Sequence, residues 1–144
     1  MKNISVLVDT NVLLDWSMPR SEFYDVADKI MQLCFGGKLD GCIAAHSFSN
    51  MFYILRKNHS VEGRRDILKL LCAEFEVVDI GLEKILLALA DKQTADFEDA
   101  LQIQCAIAKN ADYIVTRNIK DFANSVIPPI LPSDFLAILE KEES

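Results

Sequence analysis

Apolar and polar residues follow two rhythms along this chain, one of strand length and one with the spacing of a helix. Ile4 to Val8 is a short apolar run of the kind that forms a strand covered on both faces. Ser21 to Phe35 carries Phe23, Val26, Ala27, Ile30, Met31 and Cys34 at three-and-four spacing, which predicts an amphipathic helix ended by Gly36-Gly37. Gly41 to Ala45 predicts a second strand, and His46-Ser47 opens a helix that runs to Lys57. Val61 to Phe75 predicts another helix, Glu76 to Ile80 a third strand, and Leu82 to Lys92 and Phe97 to Asn110 two further helices. Tyr113 to Thr116 predicts a fourth strand. A fifth is expected at the sheet edge near Val126-Ile127, blunted by Pro128-Pro129, and a last helix follows Pro132.

Strands that alternate with helices imply an α/β fold with a parallel sheet and right-handed crossovers, here in a single domain spanning residues 1–144. Ligands of such open sheets bind beyond the carboxyl ends of the strands, where the strand order reverses. Asp9 is the first residue after the most apolar strand, which is the natural central one. A core strand that ends on an acid therefore places that acid at the expected site.

Composition narrows the class. A chain of 144 residues buries about two thirds of its unfolded surface, enough for a real core. With 51% hydrophobic and 26% charged residues it reads as soluble and globular. No apolar run approaches the roughly 18 residues of a membrane span, and no signal-peptide pattern precedes the first strand, so a cytoplasmic protein without a membrane partner is expected. Cys34, Cys42, Cys72 and Cys105 are dispersed among apolar neighbours with no C-x-x-C pair, and are expected as reduced core residues. His46 and His59 are isolated, a helix-start residue and a loop residue rather than metal ligands or triad members.

A net charge of −7 excludes a generic DNA-coating protein, whose affinity rests on surplus Lys and Arg. It leaves room for an enzyme that grips a phosphodiester through divalent cations and a few basic side chains. Arg56, Lys57, Arg64, Arg65, Lys69, Arg117 and Lys120 are either that grip or ordinary solvated helix faces.

Two further stretches carry candidate chemistry. On a helix beginning near Phe97, a wheel at about 100° per residue groups Glu98, Gln102 and Lys109 on a polar surface face and sets Asp99 beside Ile103 and Ala106. Asp99 is thus on the wrong side for a solvated acid, and Asp96 projects from the same helix end; alternatively both acids merely start the helix. "YIVTRNIKDF" gathers Thr116, Arg117, Asn118 and Asp121 at the carboxyl end of the fourth strand, on the same rim as Asp9. Carboxylates drawn together repel, so a cluster implies a cation, and all-oxygen ligation points to Mg²⁺ or Mn²⁺. Such ions activate water and stabilise charge in phosphoryl displacement, so the stretch reads as phosphodiester hydrolysis.

"LVDTNVLLD" (residues 7–15) and "EDALQIQCAIAKNADYIVTRNIKDF" (residues 98–122), in this order of elements, resemble the PIN domain family, and closely the VapC-type toxin ribonucleases of toxin–antitoxin pairs. The resemblance spans nearly the whole chain. It implies a three-layer fold, with a mostly parallel sheet of about five strands flanked by helices. It also implies a Mg²⁺- or Mn²⁺-dependent endoribonuclease acting on RNA, dimeric, and blocked by an antitoxin protein. Carried over, its residues are Asp9, Asp99 and Asp121 as metal ligands and catalytic acids, with Asn11 and Asn118 as hydrogen-bonding supports. Thr116 and Arg117 then lie where the scissile phosphate passes. The family's glutamate on the helix after strand two is here Asn50, which brings no charge, and Asp96 is the expected catalytic substitute. Two alternatives stay open: a PIN-fold module that binds RNA or protein without cutting, and a receiver-like or phosphatase domain that uses an Asp as phosphoacceptor. The aromatic stripe Phe48, Phe52 and Tyr53 is expected as core or interface.

Overall fold

The computed structural model describes residues 3–143. Five parallel strands form one sheet: β1 (Ile4–Val8), β2 (Leu39–Ala44), β3 (Glu76–Val78), β4 (Tyr113–Val115) and β5 (Pro129–Ile130), in spatial order β3-β2-β1-β4-β5. β1 is central, as its apolar sequence predicts, with Leu7 opposite Cys42 of β2 and Ile114 of β4. The order reverses between β1 and β4. It differs from the receiver order 2-1-3-4-5, which removes the receiver-like alternative.

The helices are α1 (Thr10–Ser17), α2 (Tyr24–Phe35), α3 (Ala45–Ile54), α4 (Val61–Glu74), α5 (Leu82–Ala90), α6 (Phe97–Ala108) and α7 (Pro132–Glu143), with 3₁₀ turns at Leu55–Lys57 and Ile119–Phe122. Successive β1 side chains point to opposite faces, and each face has its own core. Val6 and Val8 pack with Val12, Leu13, Ile30, Met51, Leu71 and Phe135, from α1, α2, α3, α4 and α7. Leu7 packs with Ile103, Cys105, Ala106 and Phe122 on the α6 face, and α5 closes over α6 through Ala88, Ala100 and Leu101. These are the three expected layers.

Some expectations need correction. α1 is a helix the sequence pattern does not announce: it is eight residues long and Val12, Leu13, Leu14, Asp15 and Ser17 are all buried, which leaves only a narrow polar stripe. The fifth strand is Pro129–Ile130 rather than Val126-Ile127, and Val126 is largely exposed. The prolines cost no ladder bond because Pro128 meets β4 through its carbonyl, Pro128 O accepting from Ile114 N at 3.0 Å, and Ile130 O accepts from Thr116 N at 3.0 Å. α2 starts at Tyr24, three residues after Ser21, whose hydroxyl oxygen accepts from Phe23 N in a preceding turn. Cys34, Cys42 and Cys105 are buried free thiols, but Cys72 faces solvent on the outer side of α4. Among the described residues, no helix is long and apolar enough to cross a membrane.

Candidate active site

Asp9 occupies the step from β1 into α1. Its backbone N–H completes the ladder by donating to Val115 O at 3.0 Å, and its carbonyl accepts the first helical bonds of α1, from Val12 and Leu13. The carboxylate is therefore fixed at the strand's carboxyl end, with only 4% of the residue exposed. Thr116 Oγ1 donates to Asp9 Oδ2 at 2.8 Å, and the same hydroxyl oxygen accepts from Asn118 N at 2.9 Å. Burial raises the pKa of Asp9, while the Thr116 hydroxyl and the Thr10 N–H oppose that rise. Thr116 is fully buried, so it holds Asp9 from behind instead of meeting a substrate.

Asp9 opens into a cleft of about 700 Å³ lined by Thr10, Asn11 and Leu14 of α1, Ser49, Asn50, Tyr53 and Ile54 of α3, and Asp96, Glu98, Asp99 and Gln102 from the start of α6. Asn118 and Asp121, beyond β4, complete the wall. The sequence-predicted residues Asp9, Asn11, Asn50, Asp96, Asp99, Asn118 and Asp121 thus meet in one volume. α6 presents its acids because Asp96 is its N-cap: Oδ1 accepts from Glu98 N at 2.8 Å and from Asp99 N at 3.3 Å. Asp99 is half-buried, and its carboxyl pKa is pushed up to about 7 by desolvation and then by the charges of Asp96, Asp9, Asp121 and Glu98.

Arg117 departs from expectation. Its guanidinium forms a bidentate pair with Asp15, Nε to Oδ2 at 2.6 Å and Nη2 to Oδ1 at 3.3 Å, and sits over the Phe23 ring. It lines a separate cavity with Phe23 and Pro132, so it braces the loop after β4 against α1 rather than the path of a phosphate. The carboxylate it needs, Asp15, is buried and would otherwise be an uncompensated charge.

Gln102 and Glu98 were assigned to a plain polar surface face, and both do more. Gln102 is 2% exposed; its Nε2 donates to Thr10 Oγ1 and to Ser47 Oγ, both at 3.0 Å, and those two hydroxyls are 2.7 Å apart. This network ties α1, α3 and α6 together beneath the acids. Glu98 is exposed but faces the cleft, where its Oε2 accepts from Asn50 Nδ2 at 3.1 Å. Lys109, expected on the same face, instead pairs with Glu76 at the other end of α6. A sequence signal did exist for Gln102: it lies one turn from Asp99, on the flank nearest Ile103 and Ala106.

The donor set around the cleft is all oxygen, the chemistry of a hard cation. Among the described residues no three acidic, His or Cys side chains stand close enough to form a ready-made cage. The residues still fit a divalent ion, since five carboxylates, Asp9, Asp96, Glu98, Asp99 and Asp121, line one cleft, where desolvation and then the other four charges raise the pKa of half-buried Asp99, a repulsion that a cation would offset.

A sequence profile of the PIN domain matches residues 5–120. The chain belongs to the PIN domain family. Several solved structures share this PIN fold. A toxin–antitoxin complex from Klebsiella pneumoniae is similar with a TM-score of 0.68 and 20% identity, over 88% of this chain and 97% of that one. VapC20 of Mycobacterium tuberculosis, a toxin that cleaves the sarcin–ricin loop, gives 0.67 and 12% identity, over 84% and 96% of the two chains. VapBC2 of Rickettsia felis, bound to a fragment of promoter DNA, gives 0.65 and 18%, over 89% and 98%. No curated protein matches the chain in sequence.

Proposed function

We propose that this PIN domain is a metal-dependent endoribonuclease, hydrolysing RNA phosphodiesters with Mg²⁺ or Mn²⁺, and that it is the toxin of a toxin–antitoxin pair acting in the cytoplasm as a homodimer. The single observation that carries the reading is the convergence of Asp9, Asp99 and Asp121, from residues far apart in the chain, on the cleft where the strand order reverses. The resemblance of the fold to toxins solved with their antitoxins supports an antitoxin protein as partner.

In this reading Asp9, Asp99 and Asp121 hold the ion, which supplies the positive charge against which a phosphodiester is polarised and a water activated. Asp9 is kept in one orientation by Thr116, and Thr116 in turn by Asn118 N–H. Asn11 and Asn118 line the cleft with Asp9 and offer neutral polar groups, suited to orienting a water or a phosphate oxygen without adding charge. Asp96 sets the direction of α6 and adds negative charge at its head.

Purified protein is expected to cut single-stranded RNA with Mg²⁺ or Mn²⁺, to stop with chelator, and to lose cleavage by at least about a hundredfold as Asp9→Asn or Asp99→Asn. RNA binding that persists in wild type with no cleavage under either ion would favour the second reading, a binding module, for which the uncharged Asn50 is the motivating observation.

A further inference from the structure

The glutamate that the family resemblance places on α3 is absent, and Asn50 stands there. Its amide is engaged: Nδ2 donates to Glu98 Oε2 at 3.1 Å, linking α3 to the first turn of α6 across 48 residues of sequence. Both side chains line the cleft of Asp9 and Asp99. Resting on the ribonuclease reading, we propose that Glu98 supplies the acid missing from α3, so that the cation is faced by a carboxylate carried on α6 and held in place by Asn50.

Two departures from the simple pattern then have one cause. A glutamate at position 50 would set a second carboxylate within hydrogen-bonding distance of Glu98, and two anions so close cannot both stay charged without cost. An amide there instead meets Glu98 as donor to acceptor. The exchange conserves the cleft's charge while moving its carrier from one helix to the next. A first-turn acid that only complemented the helix dipole would need no partner from another helix, whereas Glu98 has one. Asp96 is less suited to the task because its Oδ1 is already taken by the N–H groups of Glu98 and Asp99.

The test measures Mn²⁺ affinity directly, by the loss of the free-ion paramagnetic resonance signal on titration, alongside metal-free thermal melting. Glu98→Gln should weaken Mn²⁺ binding by about tenfold or more with no fall in the melting midpoint. Returning the acid to α3 in the double variant Asn50→Glu with Glu98→Gln should restore most of the affinity. Wild-type affinity in Glu98→Gln, or no recovery in the double variant, overturns the proposal while leaving the metal site intact. If wild type and Asp9→Asn bind Mn²⁺ equally, the metal reading of the cleft itself fails and this inference fails with it.

Discussion

At the scale of single residues, the site depends on one hydroxyl. Thr116 donates to a carboxylate that is almost wholly buried, and it accepts a backbone N–H, so its hydroxyl is used both as donor and as acceptor. Thr116→Val keeps the shape and removes the bond, leaving Asp9 with less support for its charge. The expected cost is about 1–3 kcal/mol of stability at neutral pH, together with reduced cleavage, checked by urea melts and an RNA assay. Asp9 and Asp99 were legible in the sequence because each breaks a local rule: an acid ends a core strand, and another sits on the apolar side of a helix. Glu98 and Arg117 were not legible. A helical wheel gives the direction of a side chain but not what another helix brings against it, and Arg117 follows its buried partner Asp15 rather than the rim of the sheet.

At the scale of elements, close packing between β2 and α4 decides what can vary. A Cβ at Gly41 would lie 2.7 Å from Phe75 Cε2 and 2.9 Å from Cys34 Sγ. The ring of Phe75 is itself held edge-on against Phe35. Gly41→Ala should therefore destabilise by about 1–3 kcal/mol, read as a lowered melting temperature, with no requirement on the cleft at the far end of the strand. Periodicity found the longer helices and four strands to within a few residues. It missed α1, whose residues are buried on nearly every side, and misplaced β5, a two-residue strand made of proline and isoleucine that has no period at all. The buried Gln102–Thr10–Ser47 network also escaped, since it depends on three helices whose mutual placement no local pattern encodes.

At the scale of the whole molecule, the acids set how stability answers to pH. The folded-state pKa of Asp99 is raised from 3.8 to about 7, and that of Asp9 is also raised, so the folded protein binds more protons than the unfolded chain between those limits. Stability of the metal-free protein should fall as pH rises from about 4 to about 7, opposite to the usual behaviour of paired carboxylates. Two measurements check this: the melting temperature of wild type should be lower at pH 8 than at pH 5 without metal, and Asp99→Asn should melt higher than wild type at pH 8. Added Mn²⁺ should raise the wild-type midpoint more at pH 8, because binding to the folded state alone stabilises it. The net charge of −7 belongs to the same scale, since a surplus of acid is concentrated where a cation can offset it.

The central place of β1 has a temporal consequence. One neighbour, β2, is made soon after it, but the other, β4, and the loop bearing Asp121 are made only after α6. During translation, Asp9 leaves the ribosome early and then waits, without the threonine that steadies it or the acids that complete its surroundings. A chain stopped before β4 would lack both Thr116 and Asp121, so the cleft is assembled only once β4 and the turn after it have been made.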